Sequence, residues 1–290
     1  MVSVQTAVHR RTVAVQGIGV ILLSSFLFGV MAVCVRLAVR ELPALQVAWV
    51  RFTGSLFLLL ALTRGRDLRP RTGNLRPLIL RGLLGAGAIV LYYFGIQGAG
   101  AGLATLLHCT YPVFTALIAT TLLGEPFSGR VGLALALNLV GVLVVLGPGS
   151  HVGPEVMLGA VCAPAASVLA GGAVATARHL RNSENAALIT TYFMAVGCVV
   201  TAPSLLAGGP AVSAATLLVL LGVVVSSAMG QWLLHHGLGF TSATQGSLAA
   251  ATMVLSATAL EALVLGAPIS GGMLIGACLM IVAVGVAVRT

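Results

Sequence analysis

Thr105, His108, Tyr111 and Thr115 follow one another at spacings of three, three and four in the stretch TLLHCTYPVFT. On an α-helix those spacings put all four side chains on one face. Pro112 comes directly after Tyr111. It has no N–H, so the carbonyl of His108, four residues back, loses its usual helical partner. Imidazole, phenol, hydroxyls and a freed carbonyl on one stripe would make a cavity wall for an ammonium or an amide. The alternative is a kinked helix whose polar groups satisfy one another.

Other polar residues interrupt apolar runs, where each is costly unless it has a role. Arg51 lies eight residues into a predicted span, roughly 12 Å deep, and Glu261 lies roughly 6 Å below the same surface at 1.5 Å per residue. They could form a structural ion pair or gate; otherwise each snorkels or bonds backbone. If they pair, losing one partner strands a desolvated charge. Gln245, Thr252 and Ser256 share a helical face at spacings of seven and four, as do Ser227, Gln231 and His235 at four. Ser167 follows Pro164, which frees the carbonyl of Ala160. Tyr92, Tyr93 and Gln97 close a predicted span, as an aromatic belt or as a cavity rim. Gln231, Trp232, His235 and His236 read as interfacial, and Phe28 and Met31 as packing residues.

The elements that carry these residues are set by composition. The chain is 59% hydrophobic and 7% charged, with a mean hydropathy of +1.10, whereas soluble domains hold about 25% charged residues. So few charges cannot cover a soluble surface, and the solvent is mostly lipid. Ten apolar segments approach the roughly 20 residues that a spanning helix needs: 17–39, 43–63, 78–96, 101–123, 130–147, 156–178, 186–207, 213–235, 241–265 and 271–288. The breaks carry Glu41-Leu42-Pro43, Arg69-Pro70, Gly147-Pro148-Gly149, Gly208-Gly209-Pro210 and Gly266-Ala267-Pro268. The fold class expected is an all-α integral membrane protein.

All fifteen basic residues are arginine. Arg10, Arg11, Arg64, Arg66, Arg69, Arg71, Arg76, Arg81, Arg130, Arg178, Arg181 and Arg289 fall on one side of the ten spans, and only Arg36 and Arg40 on the other. That bias places both termini in the cytoplasm. The +9 balance is then met by anionic lipid, and no nucleic-acid partner is expected. The five cysteines all sit in apolar runs without a C-x-x-C pair, so neither a disulfide framework nor a metal site is expected. The first apolar run is too long for a signal peptide and reads as a retained helix. No phosphate-binding loop and no hydrolase motif appears, so no cofactor is expected and the chain does not read as an enzyme.

LGEPFSGR at 123–130 recurs as LGAPISGG at 265–272, 142 residues later, with five of eight positions identical. Both are followed by Gly-rich apolar stretches. Five spans precede the middle loop and five follow it, so the second half enters the membrane upside down. The expected domains are 1–148 and 149–290, two inverted five-helix repeats around a central cavity, a recurrent construction of secondary transporters. Glu125 is expected to favour the N-terminus of the helix that follows it, near Arg130.

Ten spans, this duplication and the segment YPVFTALIATTLLGE resemble the drug/metabolite transporter superfamily in its EamA-type branch, and within it the YddG-type amino-acid exporters. Ala267 and Val254 depart from the pattern, where many members repeat the Glu and the Pro. The resemblance implies a bacterial inner-membrane exporter; as partners, a solute and membrane lipid are expected, with a monomer and a homodimer both open. The first span has no carboxylate of the kind that small multidrug transporters use, and Arg51 reads as the only deep cation, poor compensation for a dianion. An amino acid or similar neutral or zwitterionic metabolite, moved by alternating access and without an obligatory ion, fits best. Proton-coupled drug efflux, a lipid-modifying enzyme and a non-transporting membrane scaffold are the alternatives.

Overall fold

The computed structural model describes residues 2–64, 68–71, 73–146, 154–208, 212–267, 269 and 271–288. Arg66, Arg289, the Gly147-Pro148-Gly149 turn, Pro210 and Pro268 lie outside these residues. The helices are α1 (Val2–Ala38), α2 (Ala44–Thr63), α3 (Leu75–Ala99), α4 (Ala101–His108), α5 (Tyr111–Leu123), α6 (Gly129–Leu146), α7 (Pro154–Leu180), α8 (Ala186–Thr201), α9 (Ala214–Gly237), α10 (Ala243–Ala251), α11 (Met253–Leu265) and α12 (Gly271–Val288), with a 3₁₀ turn Ala202–Ala207 after α8. No strand occurs among the described residues. Eight helical segments, two of them the pairs α4–α5 and α10–α11, are long and apolar enough to cross a membrane, and shorter apolar helices lie at Gly129–Gly141 and Leu274–Ala287. Leu122, Leu206, Leu218 and Leu263 project outward, exposed, as a lipid-facing surface requires. The chain is a multi-pass membrane protein.

The architecture repeats with the 142-residue offset seen in the turn motif. α2 begins at Ala44 and α8 at Ala186; α4 begins at Ala101 and α10 at Ala243. α3 lies along α7, and its counterpart α9 along α1, while α6 and α12 pair with each other. Two consecutive pairs of helices, α4–α5 and α10–α11, are single spans broken in the middle. Pro112 at the start of α5 explains the first break. The second occurs without proline, since Val254 stands there. At both breaks a threonine hydroxyl takes up the equivalent carbonyl: Thr110 donates to Leu107 at 2.9 Å and Thr252 to Ala249 at 2.7 Å. The Ser25 hydroxyl of α1 also bonds the Ala249 carbonyl at 3.0 Å. Hydroxyls thus replace what proline imposes, as broken helices in membranes require.

Four of the six acidic residues tie the repeats together, each bonding the start of a helix of the opposite repeat or the turn just ahead of it. Glu41 accepts from the amide and hydroxyl of Ser213, ahead of α9, at 3.1 and 3.0 Å. Glu184, one residue past the position equivalent to Glu41, accepts from the Arg71 amide and the Asn74 side chain, ahead of α3, at 2.8 and 2.7 Å. Glu125 accepts from the amides of Ala243 and Thr244 at 2.7 and 3.4 Å. Glu261 accepts from Ala101 and Gly102 at 3.1 and 2.6 Å. Carboxylates are favoured at helix N-termini, where free N–H groups point outward. The Ser213 amide, then the Thr216 and Ser213 hydroxyls, hold the Glu41 carboxyl below the usual carboxylate range. Glu125 therefore serves α10 and not the helix that follows it, a correction to the sequence expectation.

Glu41 and Glu261 share one end of the bundle. Arg36, near Glu41, donates to the Ile96 and Gln97 carbonyls just before α4. Glu184 and Glu125 share the other end, where Arg178 of α7 donates to the Thr241 carbonyl just before α10. Each end therefore carries two carboxylate clasps between the repeats.

Candidate functional site

A cavity of about 70 Å³ lies between the repeats, room for several water molecules. Its wall contains six pairs of positions related by the 142-residue offset: Phe28 and Ala170, Met31 and Ala173, Arg51 and Phe193, Ile89 and Gln231, Tyr92 and Leu234, Tyr111 and Met253. Arg81, Gly85, Ala88, His108 and Val174 complete it. Equivalent backbone positions thus face one hollow with unlike side chains. The first repeat supplies both cations and the tyrosines; the second supplies mostly apolar surface.

His108 is positioned by the end of α4, where the chain breaks ahead of Pro112. Its ring stacks on Tyr92 at 4.7 Å between centroids and lies 5.4 Å from Tyr111. Tyr92 is fixed by a 2.5 Å hydrogen bond to Thr105. The Nδ1 of His108 is buried without a partner. The aromatic-belt reading fails for both tyrosines: Tyr92 and Tyr93 are buried in the interior, and Tyr92 faces the cavity.

Arg51 is fully buried in α2. Its Nε donates to the Ser227 hydroxyl at 2.6 Å, and its guanidinium carbon sits 4.9, 5.9 and 5.7 Å from the ring centres of Phe52, Tyr93 and Phe193. Nη1 and Nη2 have no hydrogen-bond partner. The pairing with Glu261 expected from depth does not form. Glu261 is drawn to the amides opening α4, which point at it, so Arg51 is left without a counter-ion among the described residues.

Arg81 is 3% exposed, not at the membrane surface as its count among the flanking arginines implied. Its guanidinium lies 4.4 Å from the centre of the Phe193 ring, with Nε and Nη1 unpartnered. Its Nη2 meets His235 Nε2 at 3.1 Å, and His235 Nδ1 meets the Thr190 hydroxyl at 2.7 Å. Arginine can only donate, so His235 accepts at Nε2 and carries its proton on Nδ1. The Gln231 amide nitrogen also meets that Nε2, at 3.2 Å. This orientation leaves the Gln231 oxygen as an acceptor. The interfacial reading of Gln231 and His235 is therefore corrected: both are buried and hold Arg81. Gly85, one turn on from Arg81, makes the room, because a methyl group there would overlap Arg81 Nη1 and the Phe193 ring. An arginine inside an apolar run with glycine four residues later was the signal in the sequence.

The remaining expected residues are placed elsewhere. Thr105 lies behind Tyr92, Tyr93 beside Arg51, and Ser227 beneath Arg51. Thr115 donates to the Tyr111 carbonyl. Ser167 donates to the Pro164 carbonyl at 2.7 Å, and its hydroxyl lies 3.0 Å from that of Thr110. Thr252 and Ser256 line a separate groove with Phe26 and Ile281. Gln245 forms a capping box with Ser242 at the start of α10, beside Glu125. Phe28 and Met31, read as packing, face the cavity. No group of three or more potential metal ligands occurs among the described residues.

The site and fold can be set beside known proteins. The chain is 30% identical over 231 residues to the pseudopaline exporter CntI of Pseudomonas aeruginosa, covering 79% of this chain and 80% of that protein. It is 26% identical over 194 residues to human solute carrier family 35 member G1, covering 61% and 52%. A solved crystal structure superposes with a TM-score of 0.74 at 19% identity over 92% of this chain and 94% of the other, which shows a shared fold. The model of the EamA-like transporter family matches twice, at residues 15–147 and 157–289. With both repeats matched, the chain belongs to the EamA-like transporter family.

Proposed function

We propose that this transporter exports amino acids or similar small zwitterionic metabolites across a bacterial inner membrane. Export proceeds by alternating access, without ATP hydrolysis, and both termini face the cytoplasm. The observation that carries the reading is that Arg51, a residue lining the central cavity, holds two buried nitrogens without a partner. A guanidinium with two free donors matches a carboxylate in a bidentate geometry. The His108 ring stacked on Tyr92, with Tyr111 tilted against it, accommodates an apolar body. The relative from Pseudomonas, named an exporter, supports the direction, and the arginine bias supports the orientation.

The clasps describe how the cavity opens. Each end is closed by two carboxylates that bond the start of a helix of the opposite repeat or the turn just ahead of it. Releasing one end while the other stays clasped exposes the same cavity to one side, and the inverted repeats make the reverse state its near mirror. No acidic side chain lines the cavity among the described residues, so a solute crosses without an obligatory proton.

Liposomes containing the purified protein and preloaded with unlabelled amino acid are expected to accumulate labelled amino acid by counterflow without an ion gradient. Counterflow that appears only with a pH gradient, or none with any amino acid, would overturn the reading. Gly85→Ala is a second expected result. Alanine favours a helix by about 1 kcal/mol over glycine, but its overlap with buried Arg81 and Phe193 costs about 1–3 kcal/mol, so the melting temperature should fall slightly, while displaced Arg81 and Phe193 should cut counterflow about tenfold or more.

A further inference from the structure

The second arginine has no role in a one-carboxylate site. Arg51 and Arg81 flank the same Phe193 ring, 5.7 and 4.4 Å from its centre, so their separation cannot exceed the sum of those distances. Both are at least nine-tenths buried, both line the cavity, and each has two donor nitrogens without a partner. His235 cannot balance Arg81, because its bare Nε2 only accepts. Two desolvated cations side by side are costly. A zwitterion offers one carboxylate and brings an ammonium, so it leaves that excess of positive charge in place.

Resting on the transport reading above, we propose that the solute is an amino dicarboxylate. One carboxylate sits at Arg51, a second at Arg81, and an N–H group donates to the side-chain oxygen of Gln231. The Gln231 oxygen is the acceptor that the Arg81–His235 network leaves free. The position equivalent to Arg51 is Phe193, and its ring is shared by both guanidinium groups. Two carboxylates would convert the mutual repulsion of the arginines into attraction for the solute. The solute thereby becomes the missing counter-ion.

Titration calorimetry on the purified protein tests this with L-glutamate, its neutral isostere L-glutamine, and glutarate. L-glutamate is expected to bind about 30-fold or more tightly than L-glutamine, since truncating one member of a buried charge pair costs about 2 kcal/mol or more. Arg81→Gln should erase that preference by weakening glutamate while leaving glutamine unchanged, and Arg81→Lys should retain part of it. Equal affinities for glutamate and glutamine in the unaltered protein would overturn the second carboxylate site and leave the amino-acid reading standing. Glutarate binding without either amino acid would keep the arginine pair and overturn both the Gln231 contact and the amino-acid reading. Binding of none of the three would overturn the proposal entirely.

Discussion

Arg51→Met is expected to raise the melting temperature of the solute-free protein while abolishing transport. The guanidinium is fully buried, with one hydrogen bond to a neutral hydroxyl, three aromatic neighbours and no carboxylate partner among the described residues. Replacing buried ionic groups by apolar side chains of similar volume is often stabilising, by about 1–4 kcal/mol. Methionine fills the same channel between Phe52, Tyr93 and Phe193 and favours contact with ring edges. Transport should fall about 30-fold to several thousand-fold, since a buried charge pair lost on one side costs about 2–5 kcal/mol. Binding and folding then pull in opposite directions at one residue, as at other sites held ready for a ligand. Melting curves with and without solute decide the matter. A variant that melts earlier yet still transports would make Arg51 a structural residue.

The second large effect concerns the clasps. Glu261→Ala is expected to destabilise the protein by about 1–2 kcal/mol, because the Ala101 and Gly102 amides lose their acceptor. It should also make cysteines introduced near α4 react faster with impermeant reagents. Adding Ala267→Glu to the same chain should restore most of both. The reason is the repeat. Ala267 is the counterpart of Glu125, and Glu125 already reaches Ala243 and Thr244, the counterparts of Ala101 and Gly102. A carboxylate at 267 should therefore reach the same two amides from six residues further along the chain. If the double variant is no more stable than Glu261→Ala alone, the two clasps are not equivalent and the reciprocal closure is wrong.

This pair also explains why the duplicated turn misled. Glu125 has alanine at its counterpart, 267, so the second copy of the turn carries no carboxylate to clasp a helix of the opposite repeat. The function moved within the sequence, to Glu261. A dipole argument from sequence finds the nearest helix N-terminus, the one just ahead of Arg130. The fold offers another, contributed by the opposite repeat. Likewise Arg51 and Glu261 were matched by depth alone, and depth does not say which groups point at each other. Gln245, Thr252 and Ser256 share a helical stripe, yet the break at Thr252 divides that stripe between the α10 cap and a groove at α11. His108 and Tyr111 were legible because Pro112 fixes the break beside them and the cavity lies at that break.

The membrane class, the positions of the apolar helices, the repeat and its 142-residue offset are properties of the sequence alone. They follow from local quantities: apolar length, turn residues and the distribution of arginine. The tertiary structure alone decided which polar groups meet. Arg81 counted as a flanking charge until α3 and α8 closed around it and placed it, with Arg51, against Phe193. Burial and pairing depend on what arrives from the other repeat, and a chain read residue by residue does not contain that partner.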